Sequence, residues 1–221
     1  DIKEFGKPPQ SPILPDVIAT LEQSTKAVIA ILHGVALGGG LEVALGCHYR
    51  VALNDTRLGL PEVKLGLLPG AGGTQRLPRL TGLATAADWI TRGKLVDAQT
   101  ALSSGLIDAI SDADSAQEAA LAVARQWQEG RIALRKTGAL PNSRDDSHVI
   151  DRARQQLLDE CPELYSPFRI LDALEASCTL PLAEGLTRER ELFFQCMDSP
   201  QGAGLIHHFF ASKAIGKVPG A

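Results

Sequence analysis

Two glutamates stand in apolar company in this chain of 221 residues. Glu42 lies in Leu41-Glu42-Val43-Ala44-Leu45, and Glu62 lies in Leu60-Pro61-Glu62-Val63. A carboxylate removed from water must find a partner or hold its proton more tightly. Two such acids facing one cleft divide acid and base work between them, on a substrate or on a water. Each taken alone also has a structural reading, since Glu42 falls in a helical first turn where the dipole favours negative charge. Immediately before it comes Gly38-Gly39-Gly40, where a buried strand becomes a helix. Glycines let backbone N–H groups approach a ligand closely, and the helix N-terminus adds positive potential. That corner suits a phosphate, or a carbonyl oxygen gaining negative charge during reaction. It equally suits plain, tight packing of strand on helix.

The remaining motifs exclude more than they suggest. Leu67-Leu-Pro-Gly70-Ala-Gly72-Gly73-Thr-Gln-Arg76 is neither a Walker A loop nor G-x-G-x-x-G, and its glycines are expected to let a loop pack under the site. No G-x-S-x-G elbow is present. His33, His48, His148, His207 and His208 show no ligand spacing, and Cys47, Cys161, Cys178 and Cys196 form no C-x-x-C pair, so no metal site is expected. Lys+Arg 22 against Asp+Glu 26 gives a net charge of −4, the wrong sign for a nucleic-acid partner. No apolar run is long enough to span a bilayer.

The elements that must position these residues follow from pattern. Residues 1–25 combine a proline-rich opening with an amphipathic piece at Val17, Ile18 and Leu21. Residues 26–110 alternate strand and helix signals. Residues 26–32 and 49–53 read as strands, and 41–47 as a short apolar helix. Residues 74–80 and 84–92 read as helices broken at Gly82. Asp97 caps a helix over 98–104 that stops at Gly105, and 106–110 reads as a strand. Beyond 111 the texture turns helical, over 115–128, 149–160, 168–178 and 186–197, with a loop or hinge over 130–147. This is an α/β class, with a body over 1–130 and a helical section over 131–221.

Two segments carry a resemblance. Ala30-Ile-Leu-His-Gly34-Val-Ala-Leu-Gly-Gly-Gly40-Leu-Glu42 and Leu60-Pro-Glu62-Val-Lys-Leu-Gly-Leu-Leu-Pro-Gly-Ala-Gly-Gly-Thr-Gln-Arg76-Leu-Pro78 together resemble the enoyl-CoA hydratase/isomerase, or crotonase, superfamily, from Asp1 to about Ile110. The resemblance implies a spiral of repeated β-β-α turns. It also implies that an acyl-CoA thioester oxygen is held by two backbone N–H groups, one of them on Gly39. The other belongs to the residue before Asp1, so the chain is expected to be an interior piece of a longer one. Glu42 would deprotonate water for attack at C3 of a trans-2-enoyl thioester, and Glu62 would protonate C2. Gly38, Ile2 and Lys3 match substrate-binding positions. No cofactor is implied, since CoA enters as part of the substrate.

Residues 185–220, with Gly185-Leu-Thr-Arg-Glu-Arg190-Glu-Leu-Phe193, look like the joint in multifunctional β-oxidation enzymes, where a 3-hydroxyacyl-CoA dehydrogenase region follows the hydratase region. The resemblance thus implies an acyl-CoA partner, and either a homo-oligomer or packing on a dehydrogenase region. The expected setting is a bacterial cytoplasm, with peroxisome and mitochondrion also consistent. Two alternatives stand beside hydration: isomerisation of 3-enoyl to 2-enoyl thioesters, and non-catalytic acyl-CoA binding.

Overall fold

The computed structural model describes residues 10–112, 115–142 and 147–215. Helix α1 (Leu14–Gln23) leads into the repeating part of the fold. Strands β1 (Ile29–Leu32) and β2 (Val35–Leu37) run into helix α2 (Gly39–Gly46). Strands β3 (Tyr49–Leu53) and β4 (Arg57–Gly59) then run through a 3-10 turn, Glu62–Leu65, into α3 (Gly73–Thr81) and α4 (Leu83–Arg92). Next come β5 (Leu95–Asp97), α5 (Ala98–Ser103), β6 (Ala109–Ser111) and α6 (Ala116–Gln128). Four helices finish the described chain: α7 (Ser147–Glu160), α8 (Ser166–Thr179), α9 (Leu182–Met197) and α10 (Pro200–Ile215).

Each β-β-α unit stacks on the one before it. Strand β3 lies parallel between β1 and β6, with Ile29 opposite Tyr49 and Val51 opposite Ala109. Strand β4 pairs parallel with β2 and antiparallel with β5. The corner between the two strands of a unit is knitted to the next unit. Arg57 N donates to Gly34 O at 2.8 Å, and Thr56 Oγ1 donates to Leu32 O at 3.0 Å. The α/β spiral of β-β-α turns with a helical C-terminal section is therefore the observed fold. The strands themselves are short, and helices dominate.

Several boundaries differ from the pattern-based expectation for physical reasons. The strand expected over 26–32 begins at Ile29, because His48 Nδ1 accepts from Val28 N at 3.0 Å and takes that residue out of the ladder. The strand expected over 106–110 is Ala109–Ser111, because the amides of Leu106 and Ile107 turn back to Ala101 O and finish α5. The break at Gly82 is where expected: its φ of 81° ends α3, and its carbonyl accepts from Ala86 N to begin α4.

One core joins the two textures of the sequence. Leu41, Leu45, Leu58 and Leu77 of the stacked units are buried in the same cluster as Ile170, Leu171 and Leu174 of α8 and Leu192 of α9. Arg50 fixes the C-terminal end of α2 within it. Fully buried, it donates to Ala44 O, Cys47 O and Leu106 O at 2.8–3.1 Å. A guanidinium on the last carbonyls of a helix satisfies acceptors that the helix cannot.

Candidate active site

The corner between β2 and α2 is shaped by Gly38. Its φ of 54° and ψ of −129° suit glycine, and its amide donates to Gly59 O at 3.0 Å, tying the corner to β4. Its carbonyl accepts from Glu42 N at 2.9 Å and starts the helix. The Gly39 amide, in the first position of α2, has no acceptor among the described residues. Leu14 of α1 packs onto this corner, since a Cβ on Gly39 would stand 2.9 Å from its Cδ2.

Glu42 and Glu62 converge on the same corner. A Cβ added to Gly38 would lie 3.2 Å from Glu62 Oε1, so the absence of a side chain there makes room for the second acid. Substituting Gly38→Ala will therefore act twice, through an unfavourable backbone and through displacement of Glu62. We expect a stability loss of about 1–3 kcal/mol, read from the urea midpoint. Catalytic activity should fall well beyond what that loss explains at the assay temperature.

Glu42 is buried, and both of its hydrogen bonds fall on one oxygen. Oε1 accepts from Ala71 N at 2.8 Å and from Gly73 N at 2.9 Å, while Oε2 has no partner among the described residues. Burial raises its pKa. The two amides and the Arg76 charge pull in the other direction without cancelling that rise. Glu62 opens the 3-10 turn, which Gly66 ends in the left-handed region at φ 70°. Glu62 is half-buried as a residue, but its Oε2 is sealed and without a partner among the described residues. Its pKa lies well above the ordinary carboxylate range, first through burial and then through the negative charges of Glu42 and Glu189. The site thus holds two carboxyl groups in unlike settings, one tied to backbone amides through a single oxygen and the other with an unpartnered, sealed oxygen.

The loop Gly70–Gly73 lies against Glu42, as its glycines suggest, and its amides form part of the site. On its other face is a cavity of about 180 Å³, lined by Pro15, Ala19, Gly70, Leu186 and Glu189 among others. Glu189, on α9, was not singled out from the sequence. It is 1% exposed and accepts from Gly72 N and Thr74 N at 2.6 and 2.9 Å. Burial, followed by the Glu42 charge, pushes its carboxyl up to about 8. The signal lay in its spacing from Leu186, Leu192 and Phe193, which places an acid on the apolar stripe of a helix. Also missed was the sealed ion pair between Arg76 and Glu22, at 2.8 Å. Of the expected site residues, Gly38, Gly39, Glu42 and Glu62 are brought together, while Ile2 and Lys3 lie outside the described residues.

Stacked β-β-α turns that carry two sealed carboxyl groups to a glycine corner define an α/β protein of the crotonase class. The chain belongs to the enoyl-CoA hydratase/isomerase family, whose model matches residues 10–139. It is 40% identical over 221 residues to a peroxisomal bifunctional enzyme of Danio rerio, and 39% identical over 222 residues to that of Homo sapiens. It is 37% identical over 233 residues to the peroxisomal fatty acid beta-oxidation multifunctional protein MFP2 of Arabidopsis thaliana. Each alignment covers 98–100% of this chain, which spans only 30–32% of those relatives.

Among solved structures, an enoyl-CoA hydratase/isomerase from Pseudoalteromonas atlantica aligns over 96% of this chain and 73% of its own, with a TM-score of 0.66. At 21% identity it speaks to the fold alone. An enoyl-CoA hydratase from Bacillus anthracis is 27% identical over 90% of this chain and 65% of its own, with a TM-score of 0.51.

Proposed function

We propose that this chain adds water across the double bond of trans-2-enoyl-CoA thioesters in fatty-acid β-oxidation. The observation that carries the reading is the division of labour between the two acids. Glu42 has one oxygen held by two amides and the other without a partner among the described residues, while Glu62 stands at the Gly38 corner with a sealed, unpartnered Oε2 and a pKa raised by burial. In the proposed step, Glu42 takes a proton from water as the water oxygen bonds to C3. The electron pair of the C2–C3 bond moves toward the thioester, whose oxygen gains negative charge beside the Gly39 amide. Glu62 then delivers its proton to C2, giving a 3-hydroxyacyl thioester. Gly38 leaves room for Glu62 at this corner. No metal or cofactor enters the balance, and CoA is part of the substrate.

Glu62 favours a second activity at the same site. In its ionised form Glu62 would take a proton from C2 of a 3-enoyl thioester, the double bond shifting to C2–C3 through a dienolate, and return that proton at C4, without needing Glu42. We place residues 1–130 as the body carrying this chemistry, and 131–221 as the helical section leading toward the dehydrogenase region that the sequence resemblance implies, in keeping with relatives that are named bifunctional or multifunctional and of which this chain spans only 30–32%. The names of these relatives also favour a peroxisomal setting over the bacterial cytoplasm first expected. No helix of the described residues is long and apolar enough to cross a membrane.

The reading is tested by following loss of the conjugated enoyl thioester and formation of 3-hydroxyacyl-CoA from a short substrate. Calorimetric binding of acyl-CoA with no turnover of either isomer would replace it with a binding role.

The pH profile follows from the same assignment. The active form has Glu42 ionised and Glu62 protonated. Activity therefore falls on the acid side as Glu42 gains a proton, and on the basic side as Glu62 loses one. Both pKa values are raised, so the whole bell should sit above the ordinary carboxylate range. Each limb belongs to the interacting group of acids rather than to one residue alone. A profile of kcat/KM that falls off within that range would contradict the assignment.

A further inference from the structure

Four successive backbone amides in the loop entering α3 are taken alternately by two acids from different helices. Ala71 N and Gly73 N donate to Glu42 of α2, at 2.8 and 2.9 Å. Gly72 N and Thr74 N donate to Glu189 of α9, at 2.6 and 2.9 Å, one to each of its oxygens. The Thr74 hydroxyl adds a third contact to Glu189 at 2.5 Å. Gly72, at φ 102°, supplies the left-handed backbone on which this alternation turns. Glu189 thus reaches from the helical section to the loop that holds Glu42, although it stands 117 residues from Gly72 in the chain.

We infer that Glu189 is a positioning residue for the site: it fixes the 71–74 loop from α9, so that the amides of Ala71 and Gly73 hold Glu42 by one oxygen and leave the other to act. The inference rests on the hydratase reading for its kinetic consequence, but not for its structural one. Burial of a third acid beside Glu42 and Glu62 also gives it an electrostatic role. The charged groups around it are Glu42 from α2, Glu62 from the 3-10 turn, Arg76 from α3 with its partner Glu22 from α1, and Arg190 on its own helix. Arg76 is already paired, so the charge of Glu189 is felt by Glu62, which it raises.

The substitution Glu189→Gln tests both roles in the full chain. A glutamine offers one acceptor oxygen and an NH2 group, so one of the two amides must face a donor. Hydrogen exchange at Gly72 and Thr74 should accelerate at least about tenfold, with a smaller change at Ala71 and Gly73, given what an unmade buried hydrogen bond costs. The kcat should fall about 10–100-fold through misplacement of Glu42, with KM changed less than about threefold, since the hydrogen bonds of Glu189 go to Gly72 and Thr74 and none to the Gly38 corner. Glu189 is ionised toward and above pH 8, and there the loss of its negative charge lets Glu62 release its proton at lower pH, so the basic limb of kcat/KM should move downward. A fraction of misfolded protein would scale the profile without moving it.

Thr74→Val keeps both amides on Glu189 and removes its hydroxyl contact, together with the bond from Gln75 Nε2 to that hydroxyl, while Gln75 Nε2 retains Ala173 O. It should give smaller changes in the same directions and decides the matter if the first variant fails to fold. Unchanged exchange at Gly72 and Thr74, or a lowered kcat with both limbs unmoved, would overturn the proposal. Should the unsubstituted chain hydrate no enoyl thioester, the hydratase reading fails, whereas the exchange result still decides the clamp.

Discussion

Replacing Glu42 with glutamine should lower the hydration kcat about 10²- to 10⁴-fold, the range by which a positioned acid or base accelerates proton transfer. The substitution is a clean one because of how Glu42 is held. Both amide donors, Ala71 N and Gly73 N, fall on Oε1, so a single glutamine carbonyl oxygen can accept both. The loop therefore keeps its shape, and the NH2 group occupies the position of the oxygen proposed to take a proton from water. Thermal stability should change little, while hydration of the short enoyl thioester is lost. Isomerisation of a 3-enoyl thioester, which needs only Glu62, should persist. Glu62→Gln should stop both reactions. Undiminished hydration by the Glu42 variant would remove Glu42 from the mechanism, and loss of isomerisation with it would mean that the two acids act as one unit.

The substitution Arg76→Met should cost about 3–5 kcal/mol of stability, the penalty for leaving one partner of a buried ion pair alone. Arg76 donates through Nε and Nη2 to the two oxygens of Glu22, at 3.2 and 2.8 Å, and the side chains are 3% and 10% exposed. Glu22 would keep only the Gly138 amide, which donates to Oε1 at 2.6 Å. The pair joins α1 to α3 and to the short turn Thr137–Ala139, so its loss loosens three parts of the fold together. Adding Glu22→Gln to Arg76→Met should recover much of the loss, because no uncompensated charge then remains inside. The urea midpoint and slope measure both variants. A penalty below about 1 kcal/mol, the range of a surface pair, would show that water reaches these charges in solution.

What the chain disclosed before its structure was known depended on how local each cause is. The β3 strand was legible because five residues in the middle of an apolar stretch end at the turn residues Asn54-Asp55. The break at Gly82 was legible because one glycine carries it. Glu42, Glu62 and the glycine corner were visible as acids and glycines in unusual company, and the resemblance supplied their proposed roles. The three-residue strands β2, β4 and β5 were not legible, since their identity comes from pairing across turns and not from their own pattern. Glu22 and Arg76 looked like ordinary charges on amphipathic helices, 54 residues apart. Glu189 had a weak signal in its spacing from Leu186, Leu192 and Phe193, but it was masked by the run Arg188-Glu-Arg-Glu191, where alternating charge suggests a solvated face. Only the docking of α9 on the loop turns one of those charges inward.

The long reach between Gly72 and Glu189 has a consequence in time. At a synthesis rate of about 5–20 residues per second, the 117 residues between them take roughly 6–23 s to emerge. During that interval Glu42 already has its two amides at hand, while Gly72 and Thr74 must satisfy theirs with water. A nascent chain released before α9 would carry every residue proposed to touch the substrate and yet lack the group inferred to fix their support, so on that inference the making of α9 is the step that licenses the site.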